Sequence, residues 1–128
     1  IEADNLLDNA TRIWCVCVEN VVTGEKYDFT DADAFKAWLP EDAILVGHNF
    51  LAYDLPMLNR HFGTRLSVSR VVDTFLLSQL YSPNFAGGHS LDAWGKRLRF
   101  PKTGHTDFSQ YSKEMLEYCR NDTSLTAL

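Results

Sequence analysis

The sequence predicts an α/β fold in which a mixed β-sheet carries helices on both faces. Strand and helix patterns follow the order β–β–β–α–β–α–β–α–α, and this order begins with a hairpin. The chain has 128 residues, 45% of them hydrophobic, which is enough to bury a core as one compact unit. We therefore expect a single domain over residues 1–128.

The first half of the chain is predicted to contain most of the strands. Glu2 stands at what resembles the end of a strand, and residues 12–20 alternate and are rich in β-forming residues. A turn at 22–25 leads into a returning strand at 26–30. Residues 43–49 form a short apolar run that ends in glycine and polar residues, as expected of a buried strand that delivers side chains at its C-terminal end.

The helices are predicted from their start and stop signals. Helix starts are expected at Thr30 or Asp31, at residue 55, at Asp73 or Thr74 after a brief strand, at Ser90 and near residue 112; helix ends are expected at Pro40 and Gly63. We interpret Asp73 as an N-cap and not as a catalytic residue.

Composition excludes several classes of protein. No apolar run approaches the roughly 20 residues of a membrane span, and no basic-plus-apolar leader stands at the N-terminus. The three cysteines form neither a CxxC pair nor a disulfide framework, so a reducing compartment is predicted and all three are expected to be small core residues. The four histidines lack zinc-ligand spacing, and no zinc site is expected.

The net charge of −5 argues against a simple basic clamp for nucleic acid. Acidic residues are concentrated in the first 42 positions, whereas basic residues cluster near Lys96 and Arg97. An acidic cluster beside a small basic patch suits a site that gathers divalent cations and then a phosphodiester. It also suits an ordinary acidic protein, and charge alone does not separate the two.

The segment GHNFLAYD ends a predicted buried strand in polar groups. Asn49, Tyr53 and Asp54 need partners there, because unpaired buried polar groups are costly. One interpretation is that Asp54 caps the next helix, whose first turn contains Pro56. The other is that Asp54 belongs to a functional site. The two interpretations are compatible.

The segment EYCRND lies in the last predicted helix. Tyr118 and Asp122 are four residues apart, so they share a helix face. Taken alone, they favour a surface pair. Met115, Leu116 and Cys119 give the same helix an apolar face, and the pair lies along its border, where it can face a cleft.

Together these segments resemble the three motifs of the DEDD (DnaQ-like) 3′–5′ exonucleases, tyrosine subclass. The second motif stands complete at Asn49–Asp54 and the third at Tyr118–Asp122. The first survives only as Ile1-Glu2, since its Asp position falls directly before Ile1. We therefore expect a domain truncated at the N-terminus and also at the C-terminus. HSLDAWGKRL (89–98) makes the resemblance closest to the N-terminal proofreading domain of bacteriophage family-A DNA polymerases.

The resemblance implies a ribonuclease-H-like fold and a function in DNA replication. The expected activity is 3′–5′ hydrolysis of phosphodiester bonds at single-stranded DNA ends, with two Mg²⁺ or Mn²⁺ ions as cofactors. It also implies a chain continuous with a polymerase domain in a longer parent, located in the cytoplasm of a bacterial or phage-infected host cell, with no membrane partner.

The resemblance also implies roles for single residues. Glu2 and Asp122 would bind the metal ion that holds the attacking water, Asp54 would bind the second ion, and Tyr118 would orient the water. The expected contacts to the nucleic acid are Leu6 on the terminal base, Asn49 on the penultimate region, and Lys96 and Arg97 on phosphates.

Other functions stay open at this stage. The chain is alternatively a nucleic-acid domain that binds a 3′ end without cutting it, or a 3′–5′ exoribonuclease of the same superfamily. A scaffold domain with degenerate acids is a further alternative, against which the complete second and third motifs argue.

Overall fold

The computed structural model describes residues 1–100 and 104–128. Its class is α/β, as predicted. The strands are β1 (Glu2–Ala3), β2 (Ile13–Glu19), β3 (Lys26–Phe29), β4 (Leu45–Gly47) and β5 (Val71–Asp73). The main helices are α1 (Ala32–Trp38), α3 (Thr74–Tyr81), α4 (Leu91–Arg97) and α5 (Lys113–Ala127). None of the helices in these residues has the length and apolar character that a membrane crossing requires.

A further helical segment, α2, joins three turns in series. It consists of π-helical turns over Phe50–Asp54 and Leu58–Phe62 with an α-helical turn over Leu55–Met57 between them. It begins before the predicted start at residue 55 and ends, as predicted, at Gly63, whose φ of 70° is accessible to glycine without strain.

The strands pair in two separate sheets among the described residues, and not in the one mixed sheet that we predicted. β1, β2 and β3 are antiparallel neighbours in that order, whereas β4 and β5 form a parallel pair. β1 is only two residues long, and its register with β2 shifts between Glu2 and Ala3. Such a short, irregular strand bonds to β2 alone, so the two sheets stay separate.

Helices cover both faces of β2. Val16 belongs to a core cluster with Phe35 of α1 and Met57 of α2, whereas Cys15 belongs to a second cluster with Met115 and Cys119 of α5. Adjacent residues of a strand point to opposite faces, so the alternation along β2 assigns one face to α1 and α2 and the other to α5.

The predicted caps decide where most helices begin. In each case the cap side chain accepts a backbone N–H of the first turn: Asp31 from Ala34, Asp73 from Phe75, Ser90 from Ala93 and Ser112 from Met115. The structure therefore selects Asp31 over Thr30 and Asp73 over Thr74, which the sequence had left open.

Candidate functional site

The three carboxylates of the predicted site line one cavity. The cavity has a volume of about 510 Å³, and its wall includes Glu2 from β1, Asp54 from α2 and Asp122 from α5. Most of the remaining wall is apolar. Three acidic side chains from distant parts of the sequence therefore share one partly enclosed, low-dielectric space, where their charges interact more strongly than in water.

The turn between β4 and α2 determines where Asp54 lies. Asn49 adopts a left-handed conformation (φ 61°), which turns the chain sharply into the first turn of α2. Gly47 leaves room for the Phe50 ring, with which a Cβ at position 47 would collide. Asp54 itself has helical dihedral angles and makes no capping hydrogen bond, so the capping interpretation is wrong.

Burial controls the protonation of Asp54. Desolvation raises the pKa of its carboxyl group from 3.8 to about 6, and the charges of Cys119 and Asp73 act in the same direction. The α-ammonium of Ile1 lowers this pKa but does not cancel the effect of burial. Asp54 is thus a buried acid whose charged form a nearby cation would stabilise.

Glu2 lies on β1 and lines the same cavity as Asp54. It is only 9% exposed and is paired across the strands with Cys15. The Ile1 ammonium lies among these groups: its burial lowers its pKa, but the charges of Cys119, Asp54 and Glu2 outweigh this and raise the pKa well above 8.0. The Glu2 and Asp54 end of the cavity therefore attracts positive charge.

Asp122 and Tyr118 lie on α5 but have different surroundings. Asp122 is half-buried and lines the cavity. Tyr118, one turn earlier, is not part of the cavity wall; its ring packs 5.9 Å from His105 and 6.3 Å from Phe108, measured between centroids. The structure thus places the three acids in the wall of one cavity, whereas Tyr118 is not part of that wall.

Two of the predicted substrate contacts are exposed on the surface. Leu6 is 75% exposed in the loop that follows β1. Asn49 is exposed between His48 and Phe50, both of which line the cavity, and its backbone N–H is bound by Asp73. Both side chains are therefore accessible from solvent, although neither is part of the cavity wall.

The two predicted phosphate contacts, Lys96 and Arg97, have partners within the protein. Lys96 forms an exposed ion pair with Asp92 at 3.1 Å. The Arg97 guanidinium donates to the carbonyls of Ala86 and Gly88 and stacks over the ring of Phe85 at 3.8 Å. Arg97 thus holds the loop before α4 in place, and a phosphate contact would require it to release these groups.

The segment HSLDAWGKRL builds a hydrogen-bond network around Ser78. The indole N–H of Trp94 donates to Ser78 Oγ at 2.8 Å, which leaves the Ser78 hydroxyl to donate to His89 Nδ1 at 2.6 Å. His48 Nε2 lies 2.7 Å from the carbonyl of His89. Residues 89–98, which carry part of the resemblance, therefore connect α3 and α4 to the end of β4, next to the cavity.

Asp73 has a second role that the sequence reasoning missed. Besides capping α3, its buried carboxylate accepts the backbone N–H groups of Asn49 at 2.9 Å and Leu51 at 3.1 Å. It thereby holds the turn that leads to Asp54. The signal was present in the sequence, since an acid at the end of a buried strand needs several donors.

The three cysteines are clustered, which the sequence reasoning also missed. Their sulfur atoms all lie within 4.8 Å of one another, although Cys119 is far in sequence from Cys15 and Cys17. Hydrogen bonds from the other two thiols lower the pKa of Cys119, while contacts with Cys119 raise those of Cys15 and Cys17. Cys15 and Cys119 are buried core residues, as expected, whereas Cys17 is half-buried, and the three form one group of thiols.

Comparisons with known proteins relate the chain to phage DNA polymerases. No protein-family model matches it. It is 29% identical over 138 aligned positions to a DNA-directed DNA polymerase of Enterobacteria phage T3, and 28% identical over 138 positions to that of Escherichia phage T7. Each alignment covers 84% of this chain and 19% of the polymerase. The chain is thus homologous to these polymerases over most of its length and spans about a fifth of theirs.

Proposed function

We propose that the chain is a proofreading 3′–5′ exonuclease domain of a longer DNA polymerase. It would hydrolyse phosphodiester bonds at single-stranded DNA 3′ ends, and its strands and helices would follow the ribonuclease-H-like arrangement. The observation that carries this proposal is the shared cavity of Glu2, Asp54 and Asp122. The similarity to two phage DNA polymerases supports the same assignment.

The donor set of the cavity suits Mg²⁺ or Mn²⁺. Hard divalent ions prefer carboxylate oxygens, and Glu2, Asp54 and Asp122 supply these from three elements. Positive charge nearby would stabilise the anionic form of the buried Asp54 carboxyl, whose pKa is raised by burial. When bound, a pair of such ions would activate water and stabilise the leaving 3′ oxygen.

The protein's own residues would position the substrate around these acids. Leu6 would pack on the terminal base and Asn49 would contact the penultimate region, because both side chains are exposed to solvent. Lys96 would exchange its surface ion pair with Asp92 for a phosphate, at little cost since that pair is solvated. Arg97 would act mainly by holding the loop before α4.

Tyr118 is a positioning residue in this proposal. Its ring is held by His105 and Phe108, one helical turn before Asp122. From there its hydroxyl would orient the attacking water at the edge of the cavity. Replacing Tyr118 by Phe would remove that hydrogen bond but retain the packing, so hydrolysis would slow without being abolished.

Hydrolysis of a 5′-labelled single-stranded DNA oligonucleotide in Mg²⁺ tests the proposal. The chain extended by an Asp directly before Ile1 should shorten the strand one nucleotide at a time from its 3′ end. Asp54→Asn or Asp122→Asn in that chain should slow it at least about a hundredfold, the scale of losing a positioned electrostatic group. The exposed Asp42→Asn is the matched control and should match the parent. Equal activity in Asp54→Asn would refute the assignment.

The first-motif position has its own test. We propose that the chain without the added Asp cleaves at least about a hundredfold more slowly than the extended one, because fewer carboxylates then hold the ions. Single-turnover hydrolysis by the two chains decides this. If they are equally active, Asp4 or Asp8 supplies the missing ligand. Asp4 is the weaker substitute, since its carboxylate is bound by Thr11 and Arg12.

Binding of a 3′ end without cleavage is the second candidate. The exposed side chains of Leu6 and Asn49 favour it, since contacts to a strand do not need metal ions in the cavity. Fluorescence anisotropy with single-stranded DNA, in parallel with the hydrolysis assay, separates binding from cutting. A DNA and an RNA oligonucleotide of one sequence, compared in the same assays, decide between the exodeoxyribonuclease and the exoribonuclease.

A further inference from the structure

We propose that Cys15, Cys17 and Cys119 form a binding site for one thiophilic d¹⁰ metal ion such as Zn²⁺. This site is separate from the carboxylates assigned to Mg²⁺ or Mn²⁺, because thiolates select soft ions whereas carboxylates select hard ones. The sequence alone predicted no zinc site. The proposed site consists of three sulfur atoms that lie between β2 and α5.

The geometry of the sulfur atoms suits such an ion. Their mutual distances are at most 4.8 Å. In a tetrahedral site with metal–sulfur bonds of about 2.3 Å the sulfur atoms are about 3.8 Å apart. Small side-chain rotations would close this difference. Cys15 and Cys17 reach the same face because they are two residues apart on a strand, and Cys119 approaches that face from α5.

The backbone around the sulfur atoms is already held in place. The Thr123 hydroxyl lies 2.9 Å from the carbonyl of Cys119 and 3.3 Å from that of Cys17, so it connects the helix to the strand beside the thiols. Arg120 of α5 forms an ion pair with Asp28, the cross-strand neighbour of Cys17. Binding would therefore require little reorganisation of the elements that carry the ligands.

The surroundings also favour a metal with one open position. Cys15 and Cys119 are buried at 0% and 1% exposure, and Met115, Trp14 and Phe108 surround the cluster with apolar groups. Cys17 and Cys119 also line the 510 Å³ cavity, from which a water molecule can supply a fourth ligand. All three cysteines would bind as thiolates, so the zinc complex would carry one negative charge.

Two other roles for the cluster are less consistent with its geometry. A disulfide between Cys15 and Cys17 is disfavoured, because side chains two apart on a strand are poorly oriented for the bond. Packing alone accounts for each cysteine singly, since buried cysteines behave as small hydrophobes. It does not account for the convergence of all three cysteines of the chain on one point.

Titration with Co²⁺, a spectroscopic substitute for Zn²⁺, tests the proposal. The reduced, chelator-treated chain, kept free of oxygen, should bind one equivalent. A sulfur-to-cobalt charge-transfer band and the visible bands of tetrahedral Co²⁺ should appear, and one equivalent of Zn²⁺ should remove them. Cys17→Ser and Cys119→Ser should each weaken binding by at least about a hundredfold, since even second-shell losses reach that scale. No binding, or a spectrum without the charge-transfer band, would overturn the proposal.

Asp122→Asn is the matched control, because position 122 lies on the same helix, one turn after Cys119, and also lines the cavity. Its cobalt spectrum should be unchanged; loss of the charge-transfer band would assign the ion to the carboxylates instead. X-ray absorption of the zinc-loaded chain needs no variant and therefore does not depend on the folding of the serine variants. It should show three sulfur atoms at about 2.3 Å. A shell of oxygen and nitrogen alone would refute the site.

Discussion

Replacing Asp54 by Asn should stabilise the protein at neutral pH. The burial of Asp54 carries an electrostatic cost, since desolvation raises the pKa of its carboxyl group to about 6. Asn has nearly the same shape and no charge, so the substitution removes the cost and keeps the packing in α2. Such a gain is typical of functional sites, where charges are held for a ligand at the expense of stability.

The magnitude follows from the shift in pKa. The pKa of the Asp54 carboxyl rises from 3.8 to about 6, so the native state holds this proton more tightly than the unfolded chain does. The contribution of Asp54 to stability is therefore lost as the pH rises from about 4 to about 6, and it stays lost above that range. A pKa shift of this size lowers the free energy of unfolding at neutral pH by on the order of 3 kcal/mol.

Urea unfolding at a series of pH values between 4 and 8 measures this difference. The gap between Asp54→Asn and the parent should open as the pH rises through this window and reach on the order of 3 kcal/mol at pH 7. Asp42→Asn removes an equivalent charge from an exposed position and should follow the parent throughout. If Asp54→Asn is less stable than the parent at pH 7, the carboxylate is stabilised by partners and the reasoning fails.

A divalent ion should narrow the difference in stability between the two proteins. Binding of Mn²⁺ at about a hundred times its dissociation constant should stabilise the parent by about 2.7 kcal/mol. Asp54→Asn lacks a ligand and should gain much less. The affinity of the parent should also fall as the pH drops below about 6, because Asp54 must lose its proton to bind. Equal stabilisation of both proteins by Mn²⁺ would exclude Asp54 from the metal site.

Three further predictions concern the surroundings of the cavity. Asp73→Ala should lower the free energy of unfolding by about 3 kcal/mol or more in urea titrations, because three backbone donors lose a charged acceptor; a loss below about 1 kcal/mol would contradict this role. Arg97→Lys should accelerate proteolysis within residues 82–90, since a lysine cannot hold two carbonyls and a ring together, and an unchanged cleavage pattern would oppose this. Tyr118→Phe should slow hydrolysis by the extended chain about tenfold, whereas Asp122→Asn should abolish it; equal losses would assign Tyr118 a role in proton transfer.

The α5 helix shows which features of the site could be predicted from the spacing of residues and which could not. The four-residue interval between Tyr118 and Asp122 correctly predicted that both lie on one helix, and the apolar residues beside them predicted its buried face. Spacing did not predict that the Tyr118 ring would pack on His105 and Phe108 while Asp122 lines the cavity. Those contacts depend on a loop whose path no local pattern specifies.

What the sequence determined by itself was local: the helix starts near residues 31, 73, 90 and 112, to within a residue or two, the helix end at Gly63, and the α/β class. These follow from hydrogen bonds and backbone dihedral angles among residues a few positions apart, which a single sequence displays directly. It also marked Glu2, Asp54 and Asp122 as the acids to examine, through their resemblance to known motifs.

Only the tertiary structure decided which of these groups meet. The strands form two sheets, and Asp54 is buried deeply enough for its pKa to rise. The Asp73 carboxylate accepts a hydrogen bond from the backbone of Asn49, and the three thiols lie close together between β2 and α5. Each of these outcomes joins residues that are distant in the chain. Their free energies come from desolvation and from contacts across elements, and both depend on how the whole chain packs rather than on the neighbours of any one residue.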